Sequence, residues 1–344
     1  MKIAIKYGAV LIDEEGHVTG RDAGATLVRR LLRVFEGASI IGPGPRHCDG
    51  FDVIPLEFVD GDDTVVINMD VIDSVAVWRV LHARCAEPRI MNFVWWNTSQ
   101  YSHRVQRAAL ALSCGLFPTF ANSEHTATEI REIVFAWTTQ PIAENAKIAW
   151  VNLGIRLEHV QPRHEPSVPV VLYPAIYLSE RKQPKVFLEV VERVAKRTPI
   201  QVEARLHESH LIREMAMDLS RKNWAWVGPL TANREDYWHA LSRTTAFLAT
   251  STEESYGLEY IEALVAGAVG IFPDRDWARE ILPSGYPFLY SSTAQAEEML
   301  FRAVTDTEAC RREIDRAAGG SFVEWLRARH DDDHFERAIA DRVQ

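Results

Sequence analysis

Short apolar segments alternate with amphipathic helical segments along almost the whole chain, and this alternation restricts the fold more than any other feature. The apolar segments predict strands at Lys2–Ile5, Ala38–Ile41, Thr64–Met69, Arg89–Trp95 and Leu116–Ala121. The segments between them predict helices, for example Ala25–Phe35 and Thr126–Phe135. Strands that alternate with helices favour a parallel sheet covered by helices on both faces.

A second alternating set follows, so the sequence predicts two domains. Its predicted elements, in chain order, are Val168–Tyr173, Lys185–Arg197, Ile200–Ala204, His210–Lys222, Ala225–Val227 and Arg234–Arg243. The stretch between the two sets, 157–169, is rich in proline and charge and is typical of a linker. The predicted domains are therefore 1–156 and 170–320, and helical spacing of apolar residues predicts a C-terminal helix within 321–344.

Composition restricts the class of protein. Apolar residues make up 47% and charged residues 25% of the chain, as in ordinary globular proteins. A formal net charge of −10 argues against non-specific nucleic-acid binding, which needs a basic surface. No apolar run approaches the roughly 20 residues of a membrane span. The four cysteines lie far apart, which argues against a zinc site or a disulfide framework, so the sequence predicts a cytoplasmic protein.

The segment Thr250–Phe272 combines a strand end, a glycine and two glutamates separated by seven residues. Glu254 falls in the predicted strand-to-helix loop, and Glu262 lies about one turn into the helix that begins at Leu258. A helix N-terminus attracts anions, and Gly257 lets the backbone approach a ligand closely. Two carboxylates beside it can accept hydrogen bonds from sugar hydroxyls. An ordinary surface helix with two solvated glutamates would show the same spacing.

The residues of this segment resemble the signature of retaining GT-B glycosyltransferases, in particular glycosyltransferase family four. The matching positions are Ser251, Glu254, Ser255, Tyr256, Gly257, Ile261, Glu262, Ala263 and Gly267. Further stretches resemble the family in the same order, namely Ala121–Glu124, Asn152–Ile155, Glu180–Gln183, Trp226–Leu230 and Arg279–Ile281. The resemblance is good over roughly residues 120 to 290 and weak over roughly the first 110.

The resemblance implies a GT-B fold, with two Rossmann-like domains whose parallel sheets face an interdomain cleft. It also implies that the C-terminal helix within 321–344 crosses back to the first domain. It also implies transfer of a sugar from a nucleoside diphosphate sugar to an acceptor, with retention of anomeric configuration. Glu254 would accept hydrogen bonds from the donor sugar and Glu262 from the ribose. Ser255, Tyr256, Gly257 and Leu258 would complete the donor site.

The basic residues of the donor site follow the family only in part. Lys182 matches a lysine that contacts the donor diphosphate, and Arg181 flanks it. The family has a Gly-Arg pair after the first strand of the second domain, where this chain has Pro174-Ala175. Arg205, at the end of the next predicted strand, is a candidate to replace that arginine, because strand ends face the ligand crevice in open α/β sheets.

The first domain offers two candidates. Gly24 lies in a glycine loop, 20–26, that opens the first long helix, as in the family, although the loop also fits a plain helix cap made by Asp22. His103 follows the strand Arg89–Trp95, near the place where family members present a histidine to the sugar. His103 is therefore a candidate catalytic residue. The alternative is an ordinary surface histidine whose hydrogen bonds are satisfied.

The resemblance implies no metal and no cofactor besides the donor. Asp60-Gly61-Asp62 precedes a strand and reads as a turn, and Asp274-Arg275-Asp276 falls in a family loop that needs no metal. Two other classes of protein stay open, another GT-B enzyme such as an epimerase or phosphorylase, and a non-catalytic nucleotide-sugar-binding module. The acceptor is open too: a lipid, glycan, small molecule, protein or modified base.

Overall fold

The structure, a computed structural model, describes residues 1–20, 22–230 and 233–343 and divides into two compact units. Unit 1 comprises Met1–Asn152 together with the segment that begins at Asp333, and unit 2 comprises Leu153–Asp332. The division differs from the predicted one, because the proline-rich stretch 157–169 is part of unit 2 rather than a linker between domains.

Unit 1 is built on a parallel sheet. The strands of unit 1 are β1 (Lys2–Lys6), β2 (Leu11–Ile12), β3 (Val18–Thr19), β4 (Ser39–Ile41), β5 (Arg46–His47), β6 (Asp52–Ile54), β7 (Thr64–Asn68), β8 (Arg89–Val94), β9 (Thr119–Ala121) and β10 (Ile148–Trp150). Of these, β2 and β3 form a separate antiparallel pair outside the main sheet. Its first helices are α1 (Ala23–Val34), α2 (Ser74–His82), α3 (Arg104–Leu116), α4 (Glu124–Trp137) and α5 (Gln140–Asn145).

The strands of this sheet are ordered β10-β9-β8-β7-β1-β4-β6-β5, and in the described residues only its β5–β6 pair is antiparallel. Every residue of β7 is buried, as expected for a strand covered by helices on both faces. The predicted strand Leu116–Ala121 starts later, at Thr119, because Leu116 is the last residue of α3.

Unit 2 repeats this design. Its strands are β11 (Val170–Tyr173), β12 (Gln201–Leu206), β13 (Ala225–Pro229), β14 (Ala246–Leu248), β15 (Val269–Pro273) and β16 (Leu289–Tyr290). Its helices are α6 (Pro184–Ala195), α7 (Glu208–Leu211), α8 (Glu214–Ser220), α9 (Arg234–Ser242), α10 (Leu258–Val265), α11 (Asp276–Glu280), α12 (Thr293–Thr305), α13 (Thr307–Ala318) and α14 (Phe322–His330). The single helix predicted at His210–Lys222 is divided into α7 and α8.

The order of the unit 2 sheet is β13-β12-β11-β14-β15-β16, and its described strand pairs are all parallel. The chain adds strands on one side of β11 and then continues from β14 on the other side. This is the order of a Rossmann fold, and it reverses between β11 and β14. Ligands of open α/β sheets bind where the order reverses, outside the carboxyl ends of the strands.

The last described helix, α15 (Asp332–Val343), clusters with unit 1 from Asp333 onward. The ring of Phe335 is fully buried and lies 5.8 Å from the ring of Phe93. The Arg30 guanidinium lies 4.3 Å from the centre of the Phe335 ring. The predicted C-terminal helix is thus two helices, since α14 belongs to unit 2 and α15 completes unit 1.

The two points at which the chain passes between the units lie side by side. Ile155 forms a parallel bridge with Asp331, in which the Ile155 N–H donates to the His330 carbonyl at 2.7 Å. Gly154 has a φ of +71°, and a Cβ there would lie 2.8 Å from the Asp331 carbonyl oxygen. Residue 154 is therefore required to be glycine for two reasons: its backbone has a positive φ, and it lies too close to the backbone of Asp331 for a side chain.

Among the helices of residues 1–20, 22–230 and 233–343, none combines the length and the apolar character needed to cross a membrane.

Candidate functional site

The loops that follow β11 and β14 are joined by hydrogen bonds at the point where the unit 2 strand order reverses. The Thr252 N–H donates to the Arg181 carbonyl at 3.0 Å. The Thr250 hydroxyl donates to the Lys182 carbonyl at 2.6 Å. These bonds bring the predicted lysine beside the first predicted glutamate, although the two residues are 72 positions apart in sequence.

Lys182 and Glu254 form an ion pair that is largely buried. The Lys182 Nζ lies 2.5 Å from Glu254 Oε1, and the two side chains are 13% and 9% exposed. Burial by itself lowers the pKa of Lys182, but the charges of Glu254 and Glu259 outweigh it, so the pKa is raised. Lys182 is therefore a cation held in a site with little water, where its interaction with an added anion is strong.

Tyr260 completes this pair, and the sequence analysis did not single it out. Its hydroxyl donates to Glu254 Oε1 at 3.0 Å and lies 2.9 Å from Ser251 Oγ. Burial, and next the Glu254 charge, raise the pKa of this phenol well above its usual range. The Lys182 Nζ lies 5.5 Å from the centre of the Tyr260 ring. A neutral, hydrogen-bonded Tyr260 thus fixes the Glu254 carboxylate.

The N-terminus of α10 lies directly after this cluster. Gly257 precedes the helix with a φ of +77°, and a Cβ there would lie 2.6 Å from the Tyr260 ring. The N-cap residue of α10, Gly257, has no side chain with which to cap the helix, whereas α1 and α4 are capped by Asp22 and Ser123. The first N–H groups of α10 therefore receive no cap from this residue, and the positive end of the helix dipole attracts an anion there.

Glu262, the second predicted glutamate, is buried in α10 but is already engaged. Its Oε1 accepts from Arg234 Nη2 at 2.6 Å, and its Oε2 accepts from the Tyr237 hydroxyl at 2.6 Å. Burial, then the charge of Glu262, raise the pKa of Tyr237 well above its usual range. Neither partner was predicted from the sequence. Their spacing of three residues at the start of α9 places them on one helix face.

Ser255, Tyr256 and Leu258, all predicted for the donor site, differ in how deeply they are buried. Ser255 and Leu258 are partly buried in the loop and first turn of α10. Tyr256 is buried, its hydroxyl accepts from the Gly154 N–H at 3.1 Å, and it lies 2.7 Å from His330 Nδ1. The Tyr256 side chain therefore contacts both ends of unit 2, near Gly154 and near His330.

The two predicted arginines both have acidic partners. Arg181 Nη1 lies 3.4 Å from Glu253 Oε1. Arg205 donates from Nε to Glu203 on the same strand, and its guanidinium lies 4.9 Å from the centre of the Trp226 ring. Arg205 and Glu203 alternate along β12 with buried residues, so they share the less buried face of the strand. Arg205 is the last but one residue of β12, so it lies near the strand end, where the sequence placed it.

The predicted residues of unit 1 are Gly24 and His103. Gly24 lies in α1, and a Cβ there would come within 2.4 Å of the Tyr7 hydroxyl, so close packing against Tyr7 explains the glycine. His103 is exposed and immediately precedes α3. Arg21, in the stretch 20–26 that was predicted as a glycine loop, lies outside the described residues.

Unit 1 also has a charged cluster where its strand order reverses, between β1 and β7. Lys6 Nζ lies 2.5 Å from Asp70 Oδ2 and 2.6 Å from Asp73 Oδ2. Between the two aspartates, Val71 is fully buried with a φ of +55°, an unusual conformation for a β-branched residue. Tyr7, beside Lys6, packs edge-on against Trp95 with ring centres 5.7 Å apart. No sequence motif marks these residues, so the cluster was not predicted.

The two Asp-x-Asp patterns have local partners. The Asp62 N–H donates to Asp60 Oδ1 at 3.3 Å within a turn, and Asp274 accepts from Arg279 Nε at 2.7 Å. In the described residues, carboxylate and imidazole atoms come close enough to share a metal ion at 13–17 and at 331–333. Neither group includes a residue of the Lys182–Glu254 cluster.

Comparison of the structure with solved structures identifies the architecture. HepE of Anabaena, solved with UDP and glucose, superimposes with a TM-score of 0.69 at 14% identity, covering 99% of each chain. The chain has the GT-B fold. The trehalose-6-phosphate synthase OtsA gives a TM-score of 0.70 at 10% identity over 100% of this chain and 99% of that one. The lipopolysaccharide outer core galactosyltransferase WaaB gives 0.63 at 16% identity over 99% and 100%. No family model and no curated protein matches the sequence.

The environment of His330 predicts a loss of stability in acid. Burial, and next the Arg329 charge, lower its pKa to about 4, against about 6.5 in an unfolded chain. The unfolded state therefore takes up this proton first as the pH falls from about 6.5 to about 4. We expect His330 to reduce the free energy of unfolding in this window by up to about 1.4 kcal/mol per pH unit.

Urea unfolding at several pH values from about 4.5 to about 8 measures this slope. The variant His330→Gln should lose the His330 contribution to this slope. Equal slopes for His330→Gln and the parent would show that the buried imidazole does not titrate as described.

Proposed function

We propose that this protein is a glycosyltransferase that moves a sugar from a nucleoside diphosphate sugar to an acceptor with retention of anomeric configuration. The observation that carries the proposal is the Lys182–Glu254 pair beside the uncapped N-terminus of α10, at the strand reversal of unit 2. A buried cation, open N–H groups and a fixed carboxylate suit a ligand that joins an anionic diphosphate to a hydroxyl-rich ring.

Cleavage of the bond between the anomeric carbon and the diphosphate places negative charge on the leaving oxygen. Lys182 and the first N–H groups of α10 are the groups that stabilise that charge, because they are oriented before the reaction begins. Glu254 holds Lys182 through Oε1 and has remaining lone pairs to accept hydrogen bonds from the sugar. No described side chain at this cluster stands out as an enzymic nucleophile, and we propose same-face attack by the acceptor assisted by the leaving phosphate.

The comparisons support a nucleotide sugar as donor. HepE has been solved in one complex with UDP and glucose and in another with UDP-glucose. The signature residues from Ser251 to Gly267 support retention, because they resemble those of retaining enzymes. Analysis of the anomeric configuration of the product by NMR tests this point, and an inverted product would contradict it.

A panel of UDP-, GDP-, ADP- and TDP-sugars tests the function as a whole. A ligand at 100 times its dissociation constant adds about 2.7 kcal/mol to the free energy of unfolding, which a thermal shift detects. We expect one donor to bind and to be hydrolysed or transferred in EDTA, because we propose a reaction that needs no metal. Activity that EDTA abolishes and manganese restores would contradict the metal-free reaction.

The same panel separates the other classes of protein. Conversion of the donor to an isomer without an acceptor would indicate an epimerase, and dependence on inorganic phosphate a phosphorylase. Binding without any turnover would indicate a non-catalytic module. Absence of binding to every nucleotide sugar would contradict the proposed function.

We propose that unit 1 binds the acceptor at Lys6, Asp70 and Asp73, where its own strand order reverses. Asp70→Asn should then lower the transfer rate by about 10-fold or more, since a charge-assisted hydrogen bond to the acceptor is weakened. Hydrolysis of the donor should stay at the parent rate, because unit 2 carries the donor site. Asp63→Asn, at a half-exposed aspartate of unit 1, is the control. Equal transfer by Asp70→Asn and the parent would exclude this acceptor site.

A further inference from the structure

Glu262 is the buried carboxylate that the family resemblance assigns to the ribose, yet each of its oxygens already accepts a short hydrogen bond. Arg234 Nη2 lies 2.6 Å from one oxygen, and the Tyr237 hydroxyl lies 2.6 Å from the other. The Glu262 side chain is only 4% exposed, whereas that of Arg234 is 48% exposed. Of the two residues that contact the Glu262 carboxylate, Arg234 is the more exposed, because Tyr237 is only partly exposed.

Arg234 has further N–H donors that could bind a ligand. A guanidinium carries five N–H donors in a planar fork, and only Nη2 of Arg234 has a hydrogen-bond acceptor among the described residues. Its position is fixed from two sides, by the Glu262 carboxylate and by the Tyr237 ring, whose centre lies 5.5 Å from the guanidinium carbon. A guanidinium that is held in place and half exposed loses little conformational entropy when it binds an anion.

A second cation would balance the charge of a bound diphosphate. The charge of Lys182 is balanced by Glu254, so a bound diphosphate brings negative charge that this pair leaves uncompensated. Residues Pro174 and Ala175 supply no charge. Arg205 donates to Glu203 and Arg181 pairs with Glu253, so each of these arginines has an acidic partner, as Arg234 does. Arg234 is joined to α10, the helix whose N-terminus faces the diphosphate in the proposed function, through Glu262 of that helix.

We propose that Arg234 binds the diphosphate of the donor and that Glu262, with Tyr237, is a positioning residue that orients the Arg234 guanidinium. This inference rests on the proposed function, since it takes the ligand to be a nucleoside diphosphate sugar. It assigns Glu262 a role different from direct contact with the ribose. It also supplies the arginine that is missing after β11.

The two roles for Glu262 predict opposite results when Arg234 loses its charge. If Glu262 binds the ribose directly, Arg234→Gln weakens a competing contact, so the affinity for nucleoside and nucleoside diphosphate is unchanged or higher. If Arg234 binds the diphosphate, the same substitution lowers the affinity for the diphosphate and leaves the nucleoside unaffected. Glutamine can still donate to Glu262, so the buried carboxylate keeps a partner and the fold is preserved.

The experiment is titration calorimetry of the full chain with UDP, GDP, ADP and TDP, followed by the nucleoside that matches the best ligand. We expect Arg234→Gln to weaken diphosphate binding about 10- to 100-fold, Arg234→Lys to weaken it less, and the nucleoside affinity to stay within about 2-fold. Arg243→Ala, an exposed arginine at the other end of α9, is the control and should match the parent.

A double-mutant cycle tests the positioning role of Glu262. Glu262→Gln should weaken diphosphate binding in the parent, but should have no further effect when Arg234 is already glutamine, because it acts through that side chain. Diphosphate binding that is unchanged in Arg234→Gln, or additive effects in the double variant, would overturn the inference. A parent that binds none of the four nucleoside diphosphates would instead contradict the proposed function.

Discussion

Replacing Lys182 with methionine is expected to lower kcat by about 10²- to 10³-fold, the effect of removing one pre-oriented group that stabilises a developing charge. The affinity for the donor should fall less than kcat, because the charge on the leaving oxygen is greater in the transition state than in the bound donor. Single-turnover kinetics with a saturating donor, compared with donor affinity from calorimetry, separate the two effects.

Lys185→Met is the matched control, because Lys185 is exposed in the first turn of α6, the helix that follows Lys182. Lys182→Met also leaves the buried Glu254 carboxylate without its cation, so a lower melting temperature is expected together with the lower rate. Equal losses of activity in the two lysine variants would show that general charge, and not the position of Lys182, supports turnover.

Glu254→Gln is expected to lower kcat by about 10²-fold while the affinity for the free nucleoside diphosphate stays at the parent value or increases. The amide keeps the shape of the side chain and can still accept from Tyr260, but it no longer balances the Lys182 charge or binds sugar hydroxyls as a carboxylate. Transfer kinetics measure the first quantity and calorimetry measures the second.

Glu253→Gln is the control for this variant, since Glu253 is the adjacent residue and pairs with Arg181 near the surface. A Glu254→Gln protein that binds and turns over like the parent would remove Glu254 from the site. This outcome would also contradict the interpretation that Glu254 and Glu262 belong to one donor site.

Local pattern was enough to predict the alternation of strands and helices and the position of α10. β7 is buried throughout and α1 has one buried face, so both leave a clear apolar pattern in the sequence. The division of His210–Lys222 into α7 and α8 could not be read from periodicity, because both short helices have the same period and the break lies in an exposed turn.

The contacts of the candidate site were predictable only where a motif marks them. Lys182 and Glu254 were both predicted, but their separation of 2.5 Å depends on hydrogen bonds between two loops. Arg234 carries no signal that distinguishes it from a solvated arginine until Glu262 is seen beside it. Tyr256 was predicted for the donor site from its place in the motif, whereas its hydroxyl is engaged by Gly154 and His330.

In the first 110 residues, still less of the candidate site could be predicted from the sequence. Lys6 and Asp70 are 64 positions apart, and each looks like an ordinary charged residue at the end of a strand. Only the strand order, with β7 next to β1, brings them to one edge of the sheet. Sequence periodicity predicts that such strands exist but not which strands are neighbours, so the cluster is visible only in the folded chain.

The packing of α15 onto unit 1 has a consequence for the order in which the protein forms during translation. Phe335 and Arg30 are in contact, so the core of unit 1 is incomplete until a segment made after all of unit 2 has left the ribosome. Unit 2 is continuous from Leu153 to Asp332, and its two ends are paired at Ile155 and Asp331. A nascent chain can therefore finish unit 2 first, while the earlier-made unit 1 still exposes the apolar surface that chaperones recognise.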